Sequence, residues 1–129
     1  MIAIDRLDHL VVTTEDIEAS VRFYVDLLNM ELDSSNNRYA VRFGNQKINL
    51  HRGKAEFLPA AQRPTAGSAD FCLIARGNIA DIYAELLAKN APLEPGMGIV
   101  PRTGAAGPID SIYLRDPDGN LVEISVYRT

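Results

Sequence analysis

The chain has no tryptophan, a single cysteine (Cys72) and only two histidines, His9 and His51. One cysteine excludes an internal disulfide and any zinc site built from several thiolates. With two histidines, all imidazole chemistry must pass through His9 or His51. Basic residues are in the minority, 13 Lys and Arg against 17 Asp and Glu, for a net charge of −4. That balance argues against a phosphate-backbone partner, which calls for a basic face, so no nucleic acid is expected. No uninterrupted apolar run approaches the roughly 18–20 residues of a membrane span, so no membrane association is expected either. Met1 to Arg6 lacks a basic stretch followed by an apolar one. The chain therefore reads as cytoplasmic, with a reduced thiol.

What is present is a sequence of 129 residues, 47% apolar and 23% charged. These are globular proportions, and the length suffices to bury a core without staples. Leu7 to Val12 reads as a strand. Thr13-Thr14-Glu15-Asp16 is cap material for a helix whose buried stripe is Ile17, Val21, Tyr24, Val25 and Leu28. Asn29 is a left-handed stop. After a polar turn at Asp33 to Asn37, the alternation of Arg38 to Phe43 and Lys47 to His51 about Gly44-Asn45 predicts a hairpin. Gly53 to Gly67 has no periodicity and reads as a linker.

The same order then returns. Ala69 to Ala75 is a strand candidate. Asn78 caps a helix carrying Ile79, Ile82, Tyr83, Leu86 and Leu87, and Asn90 and Pro92 end it. Pro92 to Pro108, rich in Pro and Gly, reads as a long loop that is functional or mobile. Asp110 to Arg115 and Leu121 to Tyr127 are strands joined by the Asp116-Pro117-Asp118-Gly119-Asn120 turn. A two-fold repeat of about sixty residues is too large and too few for a solenoid. It predicts an α+β fold of two βαβββ modules related by a pseudo-two-fold axis. Module 1 covers about 1–52, a linker 53–67 and module 2 about 68–129.

Taken alone, the chemistry-bearing residues have ordinary readings beside functional ones. His9 among aliphatic strand neighbours is a core histidine or a ligand. His51, at a strand end on the face of Asn49, is a surface histidine or a ligand. Glu123 lies on a solvated sheet face, or serves as metal ligand or general base. Tyr113 and Ser111 are plain β residues, or line a cleft beside it. Arg102 is solvated, or meets an anionic substrate. Two imidazoles and a carboxylate are a donor set for a divalent metal with open positions.

Three stretches carry a resemblance: Asp8-His9-Leu10-Val11-Val12, the Ser20-x-x-Phe23-Tyr24-x-x-Leu27 helix, and the ending Arg115-Asp116-Pro117-Asp118-Gly119-Asn120-Leu121-Val122-Glu123. Together they resemble the vicinal oxygen chelate superfamily of glyoxalases, bleomycin-resistance proteins and extradiol dioxygenases. The stretch Arg102 to Ile109, followed by Ser111-Ile112-Tyr113, is similar to a narrower branch. That branch holds glyoxalase domain-containing proteins and virulence-associated, lactoylglutathione lyase-like proteins.

The resemblance implies a glyoxalase-like fold, a homodimer and one divalent metal (Zn, Ni, Co, Mn or Fe). It implies His9, His51 and Glu123 as metal ligands and Glu123 as the catalytic carboxylate. Asp70 stands where such a module usually supplies His, as a fourth ligand, a support for one, or neither. Tyr113, Ser111 and Arg102 are the implied substrate contacts. The implied activity is lactoylglutathione lyase-like proton transfer on a small metal-chelated substrate, such as a glutathione adduct or another vicinal-oxygen compound. The alternatives are ring-cleaving dioxygenation and non-catalytic drug binding.

Overall fold

The computed structural model describes residues 1–129. They form two compact units, 1–67 and 68–129, and residues 53–67 belong to the first. No helix is long and apolar enough to cross a membrane.

The first unit contains β1 (His9–Thr14), α1 (Ile17–Val21), β2 (Glu31–Asp33), β3 (Tyr39–Phe43) and β4 (Gln46–Arg52). The sheet order is β1-β4-β3-β2, with β1 parallel to β4 and the other pairs antiparallel. The expected cap is Asp16, whose carboxylate accepts from the Ala19 amide at 3.1 Å. The helix then widens to π-helical spacing over Arg22–Leu27. In that segment the Leu28 N–H reaches back five residues to the Phe23 carbonyl at 3.2 Å. Asn29 ends it at φ 62°, as a left-handed stop should. Tyr24, Val12, Val41, Ile48 and Leu50 are essentially fully buried and form this unit's core. Strand alternation therefore leaves Lys47, Asn49 and His51 on the opposite face of β4.

The second unit repeats the plan with β5 (Asp70–Ile74), α2 (Ile79–Ala88), β6 (Val100–Gly104), β7 (Gly107–Arg115) and β8 (Leu121–Tyr127), in the order β5-β8-β7-β6. The two-module α+β expectation is met element by element. Asn78 caps α2 by accepting from the Ala80 and Asp81 amides. Leu86, Ile112, Leu114 and Val122 fill the core.

One expectation is corrected. Pro92 to Pro108 is not a single loop, because it contains β6 and the start of β7, paired from Val100↔Ser111 to Gly104↔Gly107. Pro101 is tolerated because β6 is an edge strand, where a missing N–H costs no ladder bond. Arg102 accordingly lies on a strand.

Candidate functional site

Each unit presents a set of polar groups on the sheet face opposite its core. In the first, His9 of β1 pairs with Lys47 of β4, Val11 with Asn49, and Thr13 with His51. His9 is exposed, and its Nδ1–H donates to the Asp8 carboxylate at 2.8 Å. In the neutral ring this leaves Nε2 as a lone-pair donor, the arrangement that orients ligating histidines. The His9 contact holds the Asp8 carboxyl below its usual range.

His51 is half-buried, and its ring meets Phe57 edge-on with centroids 5.1 Å apart. Burial lowers its pKa; Glu56 pulls the other way, and the Arg38 charge lowers it further. The neutral ring is thus favoured.

The two histidines share a sheet face but not a row. They stand four residues apart along the β1–β4 pair, which is about 13 Å of strand. The expectation that both imidazoles serve one ion is therefore not supported by the register. No group of three or more His, Cys, Asp or Glu side chains stands together as a metal cluster.

In the second unit Cys72 pairs with Glu123 across β5–β8, and Tyr113 with Glu123 across β7–β8. The Ser125 hydroxyl donates to Glu123 Oε2 at 3.1 Å. Ser125 Oγ in turn lies 2.7 Å from Ser111 Oγ and 3.3 Å from Cys72 Sγ. A consistent arrangement has Ser111 and Cys72 both donating to Ser125, whose proton goes to the carboxylate. Ser111 and Ser125 are fully buried and Glu123 is partly so. One carboxylate oxygen is fixed and the other is left for a ligand or a proton. Burial pushes the Cys72 thiol up, and the Glu123 charge adds to this.

Beside this group, Arg102 Nε donates to the Tyr113 hydroxyl at 2.9 Å, and its guanidinium lies 5.5 Å from the Tyr113 ring centre. Ser111, Tyr113, Arg102 and Glu123 thus come together in one unit. Asp70 is exposed and pairs with Leu121, one strand step of two residues from the Cys72–Glu123 row.

Sequence reasoning missed several residues. Matching the two registers, with His9 in the place of Asp70, puts Asn49 where Glu123 stands and His51 where Ser125 stands. The supposed linker also contributes. Its Phe57 packs against His51, and its Glu56 accepts from the Arg52 backbone N–H at 2.6 Å and Arg52 Nε at 2.8 Å. The available signal was a lone aromatic just past a strand end. Cys72 is exposed as a residue, although its thiol rests against Ser125.

The family model for the Glyoxalase/Bleomycin resistance protein/Dioxygenase superfamily matches residues 6–124. The chain is 51% identical over 125 residues to virulence protein STM3117 of Salmonella typhimurium, covering 96% of this chain and 85% of that protein. The crystal structure of STM3117 superposes with a TM-score of 0.93 at 49% identity, over 98% of this chain and 100% of that one. Identity is 42% over 127 residues to glyoxalase domain-containing protein RDO1 of Mycosarcoma maydis, covering 98% of this chain and 71% of that protein. Lactoylglutathione lyase from Agrobacterium tumefaciens shares the fold, with a TM-score of 0.72 at 21% identity over 96% of this chain and 95% of that one. The chain belongs to the glyoxalase/bleomycin resistance protein/dioxygenase superfamily.

Proposed function

We propose that this chain is a small-molecule enzyme of the glyoxalase type, in which Glu123 takes a proton from a carbon beside a carbonyl and returns it one carbon away. The observation that carries this is the Glu123 carboxylate with one oxygen held by Ser125, which Ser111 and Cys72 back. Fixing one oxygen orients the other towards a bound substrate, which general base catalysis requires. Tyr113, the cross-strand neighbour, and Arg102, bonded to its hydroxyl, are the adjoining substrate contacts.

Members of the superfamily commonly bind a divalent metal. His9 fits such a role by its donor chemistry, because Asp8 engages Nδ1 and leaves Nε2 for a ligand bond. We assign His9 as the donor in the first unit and Glu123 as the donor in the second. The metal, when bound, supplies positive charge to neighbouring substrate oxygens.

Metal analysis of purified protein tests the donor set. Metal content is expected to fall in His9→Ala and Glu123→Gln and to persist in His51→Ala. Unchanged content in the first two variants would sink the assignment. The activity test is thioester formation from methylglyoxal and glutathione by metal-loaded protein. A yellow ring-fission product from catechols under Fe(II), without thioester formation, would replace the proton-transfer reading with dioxygenation.

A homodimer belongs to the same proposal. Sedimentation at micromolar concentration is expected to give about 28 kDa, twice the 14.2 kDa chain. A monomer there would count against it.

A further inference from the structure

The first unit holds a cavity of about 230 Å³ whose lining includes Arg38, Lys47, Asn49, His51 and Phe57. Lys47, Asn49 and His51 enter it from one face of β4, two residues apart each time. Arg38 sits over Phe57, its guanidinium carbon 3.8 Å from the ring centre, while His51 meets the same ring from its edge. Phe57 thus braces a cation and an imidazole at once. A stacked guanidinium keeps its in-plane donors for a ligand.

The charge balance of this cavity is unusual for a chain with a net charge of −4. Asp33 is its one acidic lining residue, and that carboxylate is already engaged. It accepts from Arg42 at 3.1 and 3.2 Å and from the Ser35 hydroxyl at 2.7 Å. Nearby Glu56 is bonded to Arg52. Arg38 and Lys47 have no carboxylate within ion-pair distance, and Lys47 interacts with Asp8 only over longer range. The side chains of Asn49 and His51 likewise have no hydrogen-bond partner within the protein. Four neighbouring polar groups, two of them cationic, therefore line one hollow without a side-chain hydrogen bond or close ion pair inside the chain.

We propose that this cavity is an oxyanion site, taking the carboxylate or phosphate of a small molecule. Arg38 and Lys47 supply charge, and Asn49 and His51 supply hydrogen bonds. Carboxylate and phosphate share the geometry that a guanidinium fork and an ammonium recognise. The cavity lies wholly within the first unit and goes beyond the function proposed above, on which it does not rest.

Titration of the whole protein with succinate, with inorganic phosphate and with neutral succinamide, followed by calorimetry and by the His51 ring resonances, tests it. Saturable binding of at least one anion is expected, with no saturation by succinamide. Whichever anion saturates identifies the group recognised. Lys47→Gln and Arg38→Gln should each weaken that binding about tenfold or more, and Arg38→Lys should recover only part of the loss. Thermal unfolding of each variant at the wild-type midpoint separates lost binding from lost fold. The proposal is overturned if neither anion saturates to millimolar concentration, if succinamide binds equally well, or if both Gln variants bind as wild type does. Anion binding is read by titration without turnover, and the Glu123→Gln effect is read in the turnover assay, so the two readings fail separately.

Discussion

Glu123→Gln is expected to lower turnover by about 10²–10⁴-fold, the range a positioned general base contributes, while the protein stays folded. Glutamine has the same shape and can still accept the Ser125 hydrogen bond through its amide oxygen, so the Ser111–Ser125–Cys72 group keeps its geometry. What is lost is the anionic oxygen that takes the proton. The comparison to make is kcat of wild type and variant in the proton-transfer assay, with thermal unfolding as a control. Glu123 is only partly buried and its row partners are Cys72 and Tyr113, so the substitution leaves no cavity. Turnover within a few-fold of wild type would show that the carboxylate is not the base.

The second large effect is on stability and lies in the turn before β8. Asp116 is 4% exposed. Its Oδ1 accepts the Asp118 and Asn120 backbone N–H groups, both at 3.0 Å, and its Oδ2 accepts the Asn120 amide at 2.7 Å. Asn120, 1% exposed, accepts the Ala69 N–H at 2.8 Å on Oδ1, and the Leu121 N–H donates back to the Ala69 carbonyl at 3.0 Å. One carboxylate therefore holds the turn and, through Asn120, ties the start of β5 to the start of β8. Gly119 sits at φ 90°, where a Cβ would be strained.

Asp116→Ala leaves three donors without acceptors, and a buried unsatisfied donor costs about 1–3 kcal/mol. Because part of the turn can relax towards water, we expect a total of about 3 kcal/mol. For a domain of 129 residues that lowers Tm by about 10 °C. Asp116→Asn, which keeps one acceptor oxygen, should lose less. Denaturant or thermal unfolding decides this, and a wild-type midpoint for the alanine variant would contradict it. The turn also bears on function, since it sets the pairing that puts Glu123 opposite Cys72 and Tyr113.

Much of this was legible from residue types. The Asp16 and Asn78 caps, the Asn29 stop and the Gly44-Asn45 hairpin turn express local backbone preferences, and tertiary context does not overrule them here. Glu123 stood out as a carboxylate amid apolar strand residues, and the strand does place it on the face opposite Val122 and Ile124. The Pro92 to Pro108 segment misled because Pro and Gly mark loops in general, whereas edge pairing on β7 can accommodate both.

Sequence alone determined the two-fold order of strands and helices, the helix ends, the turn before β8 and which residues had the chemistry to matter. These follow from propensity, capping and alternation, which act over a few residues. The tertiary structure decided which of those residues stand in the same row. Parallel pairing of β1 with β4 depends on packing across the unit, and it separated His9 from His51 by four rows. The same pairing set Asn49 in the place that Glu123 holds in the second unit. The folding back of residues 53–67 brought Phe57 against Arg38 and His51. Register and long-range return of the chain are products of packing between distant segments, and no local pattern records them.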